Sequence, residues 1–119
     1  MSAEADLYSA LTARVALTAL VSTRIFPDAI PEGCALPAIV YQRASTSPVT
    51  TISSVVVAED VRFVITAWAE TRTAADAVAD EVGAALATAG NPPVDRSTGF
   101  DAECGLHAVS VDSDWWHAF

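Results

Sequence analysis

The chain has 119 residues, 52% of them hydrophobic, and a formal net charge of −9 from six arginines, no lysine and fifteen acids. This length supports one hydrophobic core, hence a single domain over residues 1–119. It contains no run of about 18 uncharged apolar residues, and Glu4 and Asp6 near its start lack the basic flank of a secretory signal, which argues against a membrane span or export and for a product of the cytoplasm. A surface of this sign repels a phosphate backbone, excluding a protein that holds DNA with a basic stripe; the same acidity also reads simply as what keeps an apolar-rich protein dissolved.

From residue 3 to 21, Leu7, Leu11 and Val15, then Leu17, Leu20 and Val21, recur at helical spacing, which predicts one amphipathic helix packed on a sheet. Pro27, Pro31 and Pro37 with Gly33 then mark an extended connection, with a candidate edge strand at 24–26. Residues 38–44 and 61–68 are rich in β-branched and aromatic side chains, and the Ser/Thr stretch 45–54 between them holds Pro48. The pattern predicts a long projecting hairpin with a weakly structured tip. In its second arm Val61, Phe63, Ile65 and Ala67 share the core face, and Arg62, Val64, Thr66 and Trp68 the other.

Thr73 followed by Asp76 resembles a capping box, and Ala75, Val78, Ala79, Val82 and Leu86 line one face of a helix over 73–88 that Gly90, Pro92 and Pro93 stop. Residues 99–104 and 106–116 read as two strands meeting near Gly105. The predicted fold class is α+β: two helices packed on one face of a mainly antiparallel sheet with a long projecting β-hairpin.

The residues that could carry chemistry do not assemble into a site. His107 and His117 have no cysteine or third histidine at ligand spacing, and Cys34 and Cys104 lie far apart, as two reduced thiols. There is no glycine-rich phosphate loop and no Gly-x-Ser-x-Gly elbow. Asp112 and Asp114 share one strand face, where a carboxylate pair could do acid–base work, but a solvated acidic face explains them equally. Neither catalytic residue, metal nor cofactor is expected, and the chain does not read as an enzyme.

Trp115 and Trp116 are adjacent, so on a continuing strand they point to opposite faces. Counting in twos, Trp115 goes with Val109 and Val111 into the core, and Trp116 goes with Asp112 and Asp114. A large aromatic on an acidic face, close to Phe119, is the pattern of an interface anchor, unless a bulge or the end of the strand folds it back. Trp68, opposite the core face of its own strand, poses the same question.

The order of segments, a helix, Arg24-Ile25-Phe26-Pro27-Asp28, Leu36-Pro37-Ala38-Ile39-Val40-Tyr41-Gln42, Val64-Ile65-Thr66-Ala67-Trp68-Ala69, an Ala-rich helix, and Gly105-Leu106 through Ser110-Val111-Asp112 to Trp116, resembles the tail terminator, or tail completion, family of long-tailed bacteriophages and gene transfer agents. The resemblance covers nearly the whole chain and rests on order and spacing. Two positions depart from it: the hairpin tip is Ser/Thr-rich where Gly and Asp would be expected, and Ser113 stands where an aromatic would follow Asp112.

The resemblance implies a homo-oligomer, a hexameric ring that caps the head-proximal end of the tail. The ring would stop polymerisation of the major tail tube protein and join the tail to the head connector or stopper protein. It would assemble in the host cytoplasm, reside in the neck of the virion, bind no membrane, and let DNA pass through its lumen without specific binding. The candidate interface residues are Trp116, Trp68 and Phe119, with Ser45, Pro48, Ile52 and Ser54 on the hairpin, whose tip is expected to dock on the tube. The alternative is a small acidic binding module that regulates a basic partner by imitating the charge of DNA.

Overall fold

The computed structural model describes residues 3–22, 24–28, 35–50, 56–102 and 105–118, with backbone only at 3, 47–50, 56, 57 and 116–118. Among these residues the elements run α1 (Ala3–Thr12), α2 (Val15–Val21), β1 (Ile25–Pro27), β2 (Ala38–Thr50), β3 (Val56–Ala69), α3 (Arg72–Thr88), β4 (Asp95–Asp101) and β5 (Leu106–Ala118). The strands form one sheet in the order β1-β2-β3-β5-β4, with β1 parallel to β2 and the other pairings antiparallel. All three helices contribute to one core against one face of the sheet, and none of the described helices is long and apolar enough to cross a membrane. The α+β class holds.

The helical layer has three helices, not two, because the expected first helix breaks. Leu7 and Leu11, one turn apart, are fully buried, and so is Leu17. On an unbroken helix Leu17, six positions on from Leu11, would sit about 120° away from that stripe. The break between Thr12 and Val15, with Arg14 extended at φ −84 and ψ 104, resets the phase and brings Leu17 and Val21 over the sheet. Val15, read as part of the stripe, is instead turned out and is 79% exposed. Arg14 fixes the break by donating Nε–H to Glu81 of α3 at 2.9 Å.

The hairpin is longer in regular structure than its composition suggests. β2 continues as strand through the Ser/Thr stretch to Thr50, with Ser45 opposite Arg62 and Pro48 opposite Glu59. The proline is tolerated because β1 covers β2 only at Ile39, Val40 and Tyr41, which leaves the rest of β2 as an edge. A register shift between Arg43 and Ser45 places a bulge at Ala44. Of the expected tip, residues 51–55 lie outside the described residues.

β3 alternates as its sequence demands. Val61, Phe63, Ile65 and Ala67 are buried among Val78, Val82 and Leu86 of α3 and Val109 and Val111 of β5. Trp115 joins them, its ring meeting Phe63 edge-on at 6.3 Å and 82°. The capping box read at Thr73 is not used. The cap is Thr71, whose hydroxyl accepts from the Ala74 amide at 3.2 Å, while Asp76 pairs with Arg72 and Arg96.

At its other end α3 closes as a Schellman turn: Gly90 at φ 87 lets its amide reach the Ala87 carbonyl and the Asn91 amide reach that of Leu86, at 3.1 and 2.9 Å. The fourth strand starts earlier than residue 99, at Asp95, and turns into β5 at Gly105, φ 67.

Candidate assembly surfaces

One face of the sheet carries the helices, and the other bears the remaining alternate residues. On that second face Phe26 and Trp68 supply partly exposed apolar surface towards the β1 end, with Val40 buried between their strands and Trp68 between Ala38 of β2 and Ala108 of β5 in the ladder. Next come Val64 and a hydroxyl pair, Thr66 with Ser110 at 3.2 Å. Charge follows, where Arg62 reaches Asp112 at 3.3 Å and Asp114 at 3.9 Å. The two carboxylates on one strand face are therefore joined by a guanidinium between them.

The sequence-derived interface residues do not form a single patch. Trp68 pairs with Ala38, whereas exposed Ser45 pairs with Arg62, six residues further along β3, a separation of about 20 Å on a strand. The Pro48 backbone lies opposite Glu59, and the Trp116 backbone opposite Asp60, both towards the hairpin end. β5 runs unbroken to Ala118, and Trp115 is buried with Val109 and Val111, so the expected register holds up to Trp115. The side chains of Pro48 and Trp116 lie outside the described residues, as do Ile52, Ser54 and Phe119 altogether.

A third surface escaped the sequence reading. Where α1 breaks into α2 against the end of α3, a cleft of about 500 Å³ is lined by Ala10, Ala13, Val15 and Ala16 on one side and Ala85, Thr88 and Ala89 on the other, with Arg14 at its edge. Its walls are small side chains, so it is wide without being polar. The signal that could have revealed it is the phase slip between Leu11 and Leu17, which forces a break and turns Val15 outward. A smaller exposed apolar feature is Phe100 on β4, tilted over His107 at 4.8 Å.

The six arginines are committed within the chain. Arg14 pairs with Glu81, Arg43 with Glu4 and Glu59, Arg62 with Asp112 and Asp114, Arg72 with Asp76, and Arg96 with Asp76 and Asp80. Arg24 donates to the carbonyls of Pro37 and Leu20 at 2.9 and 3.3 Å. The hydrogen bond to Asp80, reinforced by Asp76, raises the pKa of Arg96. The described residues contain no group of three His, Cys, Asp or Glu that could hold a metal.

A family model described as tail completion protein gp17 matches residues 5–118. No curated protein matches the chain. Among solved structures, a chain from the virion of a native gene transfer agent particle shares the fold at a TM-score of 0.83 and 19% identity, over 99% of this chain and 96% of that one.

Proposed function

The chain belongs to the tail completion protein gp17 family, and from that premise we propose that it forms a ring, of six copies, that caps the head-proximal end of the tail tube. It is a structural protein of tail assembly, from a family that is not one of enzymes. The ring ends polymerisation of the tube protein and offers its other side to the head connector. The observation that carries this reading is that the family match covers all five described strands, α2, α3 and all but the first two residues of α1.

A head-to-tail ring needs one patch for the next copy and another for the tube end. The surfaces proposed for these contacts are the sheet face without helices at Trp68, the strand end at Trp116 and the hairpin at Ser45 and Pro48, to which the sequence adds Phe119, Ile52 and Ser54 outside the described residues. DNA crosses the lumen without being held, because the arginines are spent on acids or, for Arg24, carbonyls of the same chain. Those same pairs weigh against a mimic of DNA charge, since a guanidinium beside Asp112 or Asp80 spoils an array of phosphate-like charges. The similar chain in a gene transfer agent virion supports a setting in a tailed particle.

The test is genetic. Without a functional copy of the gene, particles should show tails of irregular length and heads without tails by electron microscopy, and the wild-type gene supplied in trans should restore both. Tails of normal length joined to heads in the mutant would overturn the reading.

A further inference from the structure

Copies that each carry −9 repel one another, so a contact between them needs places where acids are paired. The described residues offer two such places that also expose a large apolar side chain. The first is on β4, an edge of the sheet. Arg96 and Thr98 lie opposite the buried Val111 and Val109, so they and Phe100 point to the side that carries the helices. Phe100 is 58% exposed and lines a hollow with His107 and Arg72, the first residue of α3. Beside it Arg72 pairs with Asp76, and Arg96 with Asp76 and Asp80. The second place is the cleft of about 500 Å³ at the α1–α2 break. Val15 is exposed there, most of the other lining residues are alanines, and the one charge, Arg14, is balanced by Glu81 at 2.9 Å.

We propose that the Phe100 side chain of one copy seats in the α1–α2/α3 cleft of the next. The inference rests on the ring proposed above and names the contact that builds it. Among the described residues Val15 and Phe100 are the two most exposed large apolar side chains, and this one contact covers both. The cleft has the size of those that take a small molecule, about 300–1,000 Å³, and its alanine walls leave room for a phenyl ring. An aromatic side chain in such a hole is the usual anchor of an interface. The charges at the two rims are complementary: Asp101 follows Phe100 and meets a cleft edged by Arg14, while Arg72 brings a cation for Glu81.

A chain cannot fill its own cleft this way. Phe100 shares its hollow with Arg72 at the start of α3, whereas the cleft is lined by Ala85, Thr88 and Ala89 at the other end. Thirteen residues or more of helix put the two about 20 Å or more apart. Knob and hole on different parts of one chain give a head-to-tail contact, the kind that closes into a ring.

The test uses the full chain with Cys34→Ser and Cys104→Ser and leaves Phe100 and Val15 in place. Thr98→Cys, two residues from Phe100 on the same face of β4, and Thr88→Cys, on the cleft wall, are combined in one chain and treated with a short bismaleimide. Head-to-tail contacts join such chains into a ladder beyond the dimer. The expected result on a denaturing gel is at least tenfold more trimer and larger bands than from Thr98→Cys combined with Ser45→Cys, an exposed position on β2. Equal yields, or no band above the dimer, overturn the proposal. As a second measurement, Phe100→Asp and Val15→Asp in the native-cysteine chain should each keep the wild-type circular dichroism and self-associate at least tenfold more weakly in sedimentation. The double variant should be little weaker than either single one, because both break one contact. Losses that multiply in the double variant overturn the proposal, and so does unchanged self-association. The latter includes the case in which a variant still fails to complete tails, which would give the cleft to the tube protein. Failure of the tail-capping reading itself appears separately, as normal tails in the absence of the gene.

Discussion

Ser113 in the middle of β5 donates its hydroxyl to the carbonyl of Asn91 at 2.9 Å, joining the sheet to the turn that ends α3. Ser113 is fully buried, lies opposite Phe63 in the ladder, and precedes Trp115 on the same face. A small residue there makes room for the edge-on contact of Phe63 with Trp115, which accounts for a serine where the family resemblance led us to expect an aromatic. Ser113→Ala should destabilise the fold by about 0.5–1.5 kcal/mol, the net worth of one hydrogen bond, and Ser113→Phe by about 1–3 kcal/mol through overpacking. Urea denaturation of the purified variants measures both, and an alanine variant as stable as wild type would dismiss the bond as a stabilising tie.

The two faces of β3 make a sharper comparison. Phe63→Ala empties the centre of the core and should cost about 3–5 kcal/mol. Thr66→Ala, on the face without helices, loses a hydroxyl pair with Ser110 and should cost about 1 kcal/mol or less. Equal losses would contradict the observed register.

Duplex DNA should not bind at moderate salt. Binding through phosphates needs free cations whose attachment releases counterions, and the arginines here already serve acids or carbonyls of their own chain. A sub-micromolar, salt-sensitive complex in a filter assay is the result that would refute this.

Tyr41 gives the fold a dependence on alkaline pH. Burial first, then neighbouring Tyr8, Glu4 and Asp28, raises its phenol above the ordinary value of 10.0. The unfolded chain thus releases this proton at lower pH than the folded one. The stability that Tyr41 contributes is whole below about pH 10 and is lost as pH rises through its folded-state value. Denaturation series between pH 8 and 11.5 should show a steeper decline for wild type than for Tyr41→Phe; parallel curves would remove Tyr41 as the cause.

Trp116→Asp should leave the monomer folded, because the core position at this end of β5 belongs to Trp115. It should weaken self-association by about 2 kcal/mol or more, as loss of an aromatic anchor does. Circular dichroism with sedimentation separates the effects, and an unfolded variant would show that the residue supports the domain instead.

Much of the central scaffold could be read from residue order alone, since α3 and β3 each announce one face through a single repeating pattern. Val78, Val82 and Leu86 recur with the helical period, and Val61, Phe63 and Ile65 with the strand period. The break at Arg14 was hidden because a stripe of apolar residues records spacing but not a change of phase, and only the sheet beneath decides whether Val15 or Leu17 turns inward. The strand through Ser45 and Pro48 was hidden for another reason: serine, threonine and proline favour turns locally, and pairing with β3 overrides that preference. The cap moved from Thr73 to Thr71 because Asp76, read as half of a capping box, is drawn to Arg96 on a strand that follows it in sequence. The cleft could not be read from either pattern, as it exists only where two helices meet the end of a third.

The strand order carries a consequence for how the chain is made. β5 lies between β3 and β4, so the middle of the sheet is closed by the strand that is made latest among the five described. Until Leu106 to Trp115 emerge, the nascent chain holds a β2–β3 hairpin with one open edge and Phe63 without its aromatic neighbour. Pairings that span so much sequence form slowly, and an open edge invites pairing with another chain. In the ring proposed above, completing each domain before the copies touch would keep assembly apart from aggregation, and β5 sets the moment at which that separation begins.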